Sequence, residues 1–193
     1  MSTLYRFAVV GGEHVPRSGG AVIAYDHQSF LDPIIAAIST PRELTWIART
    51  TLNQSWLYRF LTRPAPVVSI QRGHADKGAL DVVVERARRG ALVALFPEET
   101  RSQDGDLGVL KGGFFLIAKL AAVPIIPAHI AGTFAIWSRH RRLPRLSGAI
   151  EVRYGAPFEA AAMERAEAIA TLAARLRALR DAARSADALG AVR

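Results

Sequence analysis

The apolar residues of this chain gather in short runs separated by polar turns and by segments with helical spacing. The run Ala21-Val22-Ile23-Ala24-Tyr25 predicts a buried strand, and a polar turn, Asp26-His27-Gln28-Ser29-Phe30-Leu31-Asp32, follows it. Pro33-Ile34-Ile35-Ala36-Ala37-Ile38 then predicts a helix whose first turn carries Asp32 and Pro33. Proline suits that position because the N–H it lacks would be unpaired there. Before these elements, Phe7-Ala8-Val9-Val10 predicts a short edge strand and a glycine-rich loop. Beyond them, Leu44-Thr45-Trp46-Ile47-Ala48 and Pro66-Val67-Val68-Ser69-Ile70 predict two more strands. Residues 53–61, carrying Trp56, Leu57, Tyr58, Phe60 and Leu61, predict a short helix for core packing or for an interfacial patch with Arg59 and Arg63.

The second half repeats the alternation. Residues 75–89 set Leu80, Val83, Val84 and Ala87 on one helical face, and Gly90 ends that helix. Ala91-Leu92-Val93-Ala94-Leu95-Phe96 has the continuous apolar pattern of a strand covered on both faces. Lys111-Gly112-Gly113 opens an apolar helix over 114–121. Val123-Pro124-Ile125-Ile126-Pro127-Ala128-His129-Ile130 predicts a strand that lies at an edge or carries a bulge, because proline cannot donate to a ladder. Ile150-Glu151-Val152-Arg153-Tyr154 alternates as a last strand does, and residues 159–188 form a long helix with Ile169, Leu172, Leu176 and Leu179 at helical spacing. Strands alternating with helices predict an α/β sheet layered with helices, in one domain over 1–193.

Composition narrows the chemistry. The chain has no cysteine, which removes disulfides, thiolate metal sites and a cysteine nucleophile. No apolar run approaches the ~18–20 residues of a membrane-spanning helix, and the first residues lack the pattern of a signal peptide. The net charge of +8 rests almost wholly on arginine, which favours anionic substrates or a polyanionic surface. The densest basic stretch is Trp137-Ser138-Arg139-His140-Arg141-Arg142-Leu143-Pro144-Arg145, read as a solvated loop or as a membrane or CoA-phosphate contact.

Three polar clusters fall where successive strands end, the edge at which open α/β sheets place their chemistry. They are Asp26/His27/Asp32, then Arg72, then Glu98/Glu99/Thr100/Arg101, with Lys111 at a helix start. An imidazole with one nitrogen held by a carboxylate presents the other as an acceptor, as a general base requires. Arginine suits phosphate because its planar fork bonds two oxygens at once. Ser29 reads as a turn residue bonding local backbone, and no Gly-x-Ser-x-Gly elbow is present. A metal-hydrolase reading would draw on His27, Asp32, His74, Glu98 and His129, but no tight ligand cluster supports it, and His74 and His129 read as structural.

These stretches resemble the glycerolipid acyltransferases, specifically the 1-acyl-glycerol-3-phosphate (lysophosphatidate) acyltransferases. The family's Asn-His-x-Ser-x-x-Asp stretch is similar to residues 26–32, its strand ending in arginine to 67–72, its Phe-Pro-Glu-Gly-Thr-Arg-Ser to 96–102, and its Val-Pro-Ile-Ile-Pro strand to 123–127. Lys111-Gly112-Gly113 matches the segment preceding that strand, and the resemblance runs in family order over about 7–158. It implies a mixed central sheet covered by helices, as in glycerol-3-phosphate acyltransferase, and transfer of an acyl group from acyl-CoA or acyl carrier protein to a lysophospholipid hydroxyl. By the same resemblance His27 is the base and Asp32 orients it, while Arg72, Glu98, Thr100, Arg101 and Lys111 bind the acceptor. Neither cofactor nor metal is expected beyond the acyl donor, nor is a nucleic-acid partner.

Two positions depart from the family pattern. Asp26 replaces Asn and could raise the pKa of His27 or compete as its partner. Glu99 replaces a glycine and is strained if that site needs positive φ. Both additions are acidic, which motivates another lyso-lipid acceptor, such as an amino-acid lipid, as an alternative. A non-catalytic basic module for a membrane surface is the other. In either case the chain is expected in the cytoplasm, peripherally and reversibly bound to the anionic cytoplasmic face of the membrane.

Overall fold

The computed structural model describes residues 5–49, 67–70 and 77–190. The expected helix at 53–61, Arg72 and His74 lie outside these described residues. Among them, seven strands form one mixed sheet: β1 (Tyr5–Val10), β2 (Ala21–Tyr25), β3 (Leu44–Arg49), β4 (Val67–Ile70), β5 (Leu92–Leu95), β6 (Ile125–Ala131) and β7 (Gly148–Tyr154). Their order is β1-β7-β6-β2-β5-β3-β4, and every neighbouring pair is parallel except β6–β7. The helices are α1 (Asp32–Ser39), α2 (Lys77–Arg88), α3 (Gly113–Ala121), α4 (Thr133–Trp137) and α5 (Arg165–Gly190).

The period-two geometry of a strand divides the core. Val22 and Ala24 of β2 turn to one face, packing with Val83 and Val84 of α2, Phe114 and Ile117 of α3, and Leu172 and Leu176 of α5. Ala21, Ile23 and Tyr25 turn to the other, with Ile35 of α1 and Ile136 of α4. Helices therefore cover both faces. That is why β2 and β5 are buried along their whole length and carry no polar alternation.

The strand order creates a switch at the carboxyl ends of β2 and β5. From β2 the chain crosses by α1 to β3 on one side of the pair, whereas from β5 it crosses by α3 to β6 on the other. Connections departing in opposite directions leave a crevice between them, at the strand ends that carry the candidate residues. The far end of α1 is tied down by a buried hydroxyl cluster. Tyr154 Oη lies 2.7 Å from Ser39 Oγ, 3.0 Å from Thr40 Oγ1 and 3.1 Å from Tyr25 Oη. Asp32, at the opposite end, starts from a fixed helix.

Of the two places expected for the proline-bearing strand, the edge is excluded and a bulge is found: β6 lies between β2 and β7. Its prolines fit because Pro124 precedes the strand, while Pro127 sits where the opposing segment after β7 bulges. From the Ala128–Tyr154 pair to the Ile125–Phe158 bridge, β6 advances three residues and the opposing chain four. The last helix begins at Arg165 rather than at residue 159. Phe158 is still sheet-bonded, exchanging both main-chain bonds with Ile125 at 2.9 Å, so the chain cannot wind until it has left that ladder.

Glu99 lies in the left-handed region at φ 57°, the conformation that the family's glycine would adopt freely. Such a residue costs about 1 kcal/mol when it bears a Cβ. Glu99→Gly is therefore expected to raise the melting temperature by about 2 °C. Thermal unfolding followed by circular dichroism checks this, and a lower melting temperature would show that side-chain contacts of Glu99 outweigh the strain.

Candidate active site

β2 delivers Asp26 and His27 to its carboxyl end, and α1 brings Asp32 back over them. Asp32 is wholly buried and accepts four hydrogen bonds. Oδ2 takes His27 Nδ1–H at 2.9 Å, Gln28 N–H at 2.6 Å and Ser29 N–H at 2.7 Å, while Oδ1 takes the Thr133 hydroxyl at 2.7 Å. Two of these donors are the turn's own backbone, which holds the carboxylate in place independently of the imidazole. Because the carboxylate is the acceptor, the proton sits on Nδ1, and Nε2 is the nitrogen left to act. The His27 side chain keeps 17 % exposure beside an Asp32 side chain at 0 %. Phe96 stacks on the imidazole with centroids 4.0 Å apart and planes at 19°, which fixes the ring's remaining freedom.

The stretch after β5 clamps His27 through its main chain. Glu98 Oε1 accepts His27 N–H at 2.8 Å, and His27 C=O accepts Ser102 N–H at 2.7 Å. The other oxygen of Glu98 takes Gly108 N–H at 2.7 Å. Glu98 is thus buried with both oxygens engaged by backbone, facing the fold rather than an acceptor. Burial pushes its carboxyl pKa above the usual 4.5, against the two backbone donors that pull it down. A carboxyl raised in this way gives stability below its unfolded pKa that is lost as pH rises through the folded one. Glu98→Gln, which leaves one backbone donor facing an amide N–H, is expected to cost about 1–3 kcal/mol. Denaturant titrations across pH check it. The deficit should narrow as pH rises above about 4.5, because only the wild type gives up stability there.

Asp26 does not compete for His27. It is buried, and its Oδ2 accepts His129 Nδ1–H at 2.7 Å and Gln28 Nε2–H at 2.9 Å, while Oδ1 accepts Ile130 N–H at 3.1 Å. This places His129 in a structural pair beneath the turn. Ser29 donates its hydroxyl to Trp137 C=O at 2.7 Å and accepts Leu31 N–H at 3.1 Å, as a turn residue does. The residues of the metal reading separate, His27 with Asp32 and His129 with Asp26. Among the described residues no three His, Asp or Glu side chains form a metal-ligand group.

Thr100 and Lys111 are exposed, the Lys111 N–H donating to Pro97 C=O at 2.8 Å, and Arg101 is half-buried. Arg101 lies over the Phe30 ring, 3.5 Å from its centroid, and its backbone C=O accepts Arg139 Nη1–H at 3.4 Å. Burial lowers its pKa below that of a free arginine, Arg139 adds to that, and Asp32 opposes it. Arginine stays cationic under such a shift, and a partly desolvated guanidinium binds an anion more strongly than a hydrated one. Phe30, Phe96, Thr133 and Trp137 are contributors that the sequence reading missed. Only the position of Phe30 within the turn, and of Phe96 at a strand end, signalled anything.

A family profile described as Acyltransferase matches residues 6–131. The chain is 33 % identical over 132 residues to the chloroplastic 1-acyl-sn-glycerol-3-phosphate acyltransferase BAT2 of Brassica napus, covering 67 % of this chain and 38 % of that protein. It is 29 % identical over 147 residues to a probable 1-acyl-sn-glycerol-3-phosphate acyltransferase of Mycoplasma pneumoniae, covering 72 % of this chain and 54 % of that one. The chain thus spans about half or less of the length of these relatives. In fold it is similar to the crystal structure of the 1-acyl-sn-glycerophosphate acyltransferase PlsC from Thermotoga maritima. The TM-score is 0.77 at 23 % identity, over 92 % of this chain and 72 % of that one. With the stretches 26–32 and 96–102 meeting at the carboxyl ends of β2 and β5 and the family profile matched over residues 6–131, the chain belongs to the acyltransferase family.

Proposed function

We propose that this chain transfers a fatty acyl group from acyl-CoA or acyl carrier protein to the free hydroxyl of a lysophospholipid such as 1-acyl-glycerol-3-phosphate. The observation that carries this reading is the His27–Asp32 pair, with Nδ1 tied down and Nε2 left as an acceptor. Nε2 takes the hydroxyl proton as the oxygen attacks the thioester carbonyl carbon. Asp32 stabilises the imidazolium that forms. Collapse of the tetrahedral intermediate breaks the carbon–sulfur bond, and the departing thiolate takes the proton from His27. The acyl group passes in one transfer and is not held on the protein. The acyl donor serves as the second substrate, and the reaction uses no cofactor.

Arg101, Thr100 and Lys111 are assigned to the acceptor's phosphate, and Arg72 joins them by the family resemblance. Glu98 is assigned a positioning part, since its oxygens serve the backbone of His27 and Gly108. The buried partnership of Asp26 with His129 removes one of the two reasons to expect a different acceptor. Glu99, exposed and acidic, is the one that remains. We place the protein in the cytoplasm, bound peripherally to the membrane that supplies the acceptor. No helix among the described residues is long and apolar enough to cross a membrane.

Thiol release from acyl-CoA and from acyl carrier protein, measured against a panel of lyso-lipids, tests the proposal. The expected result is release that depends on lysophosphatidate. Release that depends instead on a lyso-lipid without an anionic phosphate would assign Glu99 to acceptor choice. No release with any acceptor would favour the non-catalytic module.

A further inference from the structure

The basic stretch after β6 remains without a role. β6 runs parallel to β2, so the irregular loop that follows α4, residues 138–147, emerges at the same sheet edge as His27. At its root, Phe30 N–H and the Ser29 hydroxyl both donate to Trp137 C=O. The Trp137 ring lies 5.1 Å from that of Phe30. Farther along, His140 Nε2 lies 2.9 Å from Gln103 O, and Arg139 reaches the Arg101 carbonyl. The loop is therefore fastened both to the turn that carries His27 and to the stretch that clamps it.

Its outer side combines two features that seldom share a solvated loop. Leu143 and Leu146 are 78 % and 75 % exposed, among the most exposed large apolar side chains described. Arg141, Arg142 and Arg145 stand exposed around them. No ion pair among the described residues engages these three arginines. The sequence has no acidic residue from Leu107 to Ile150, so none neighbours them along the chain. Phe30, 41 % exposed at the loop's root, extends the apolar surface toward His27.

We propose that this loop docks the protein on an anionic phospholipid surface, with Leu143 and Leu146 entering the acyl boundary and Arg141, Arg142 and Arg145 meeting lipid phosphates. Charge complementarity identifies the occupant, and the leucines distinguish it from a nucleotide phosphate, which calls for cations but not for aliphatic side chains held in water. An acidic carrier protein would also meet the arginines, and the test separates it from lipid. The proposal rests on the reading above in one respect, that the acceptor reaches His27 from a membrane. Docking by this loop presents the His27 edge of the sheet to that surface.

Vesicle flotation without substrates tests it, using phosphatidylcholine alone and phosphatidylcholine with phosphatidylglycerol at about 7:3. The whole chain, L143S/L146S and R141Q/R142Q/R145Q are compared at low and high salt. The expected result is partition of the wild type onto the anionic vesicles. Each variant should lose about tenfold or more, and the arginine variant should also lose the salt dependence. Unaltered melting temperatures confirm that these exposed replacements leave the fold intact. Wild-type indifference to anionic vesicles, or an L143S/L146S variant that binds them fully, would overturn the proposal. So would carrier-protein binding that falls in the arginine variant while vesicle binding does not. Because flotation needs no turnover, a protein that floats but releases no thiol would refute the catalytic reading and leave the docking loop standing.

Discussion

Replacing His27 with alanine is expected to lower acyl transfer by about a thousandfold to ten-thousandfold while leaving a folded protein. The loss is large because Nε2 is the proton acceptor, and the other histidine brought close to this turn among the described residues is already engaged. His129 is buried with Nδ1 on Asp26, beneath the turn rather than in the crevice. The fold survives because the clamps on this residue are main-chain bonds, His27 N–H to Glu98 and Ser102 N–H to His27 C=O, and alanine keeps both. What goes is the stacking on Phe96 and one of four donors to Asp32. Thiol release and thermal unfolding, measured on the same preparation, check the expectation. Activity within tenfold of wild type would exclude His27 as the base.

Asp32→Asn is expected to lower turnover by about a thousandfold or more, with a stability cost below about 2 kcal/mol. The asparagine oxygen can occupy the Oδ2 position and accept from His27, Gln28 and Ser29. Its amide then faces the Thr133 hydroxyl, which can reverse and accept. Geometry is kept, and what disappears is the negative charge opposite the forming imidazolium. Asp32→Ala differs because it strands two backbone N–H groups in a fully buried site, and it is expected to destabilise by about 3 kcal/mol or more. Comparing the two replacements in denaturant and in turnover separates charge from scaffolding. Equal turnover in Asp32→Asn and wild type would show that the carboxylate only holds the turn.

Local pattern made the central strands and the candidate pair legible. The uninterrupted apolar character of residues 21–25 and 92–95 follows directly from burial on both faces, and His27 and Asp32 flank a short non-helical turn that leads into a helix. Glu99 was legible for a physical reason too, since a glycine position often marks positive φ, and the residue adopts it. The bond between Asp26 and His129 was not, because it joins residues about a hundred positions apart, and nothing in a linear pattern pairs them. The same holds for Thr133 and Asp32. Pattern could not choose between an edge and a bulge for β6, because proline's cost depends on which neighbour its missing N–H would face, and only pairing decides that. The helix start at Arg165 was misread because Phe158 is drawn into the sheet by Ile125, a tertiary contact that overrides local propensity.

The backbone clamp around His27 bears on how such a protein can change. The stretch that offers Thr100 and Arg101 to solvent also fixes the base, through Glu98 on one side and Ser102 on the other. Selecting for a new acceptor by remodelling residues 97–102 would therefore disturb proton abstraction at the same stroke. Variation confined to side chains that leave this stretch outward, Glu99 and Thr100 among them, escapes that coupling. Divergence in specificity has a narrow route here, set by two main-chain hydrogen bonds.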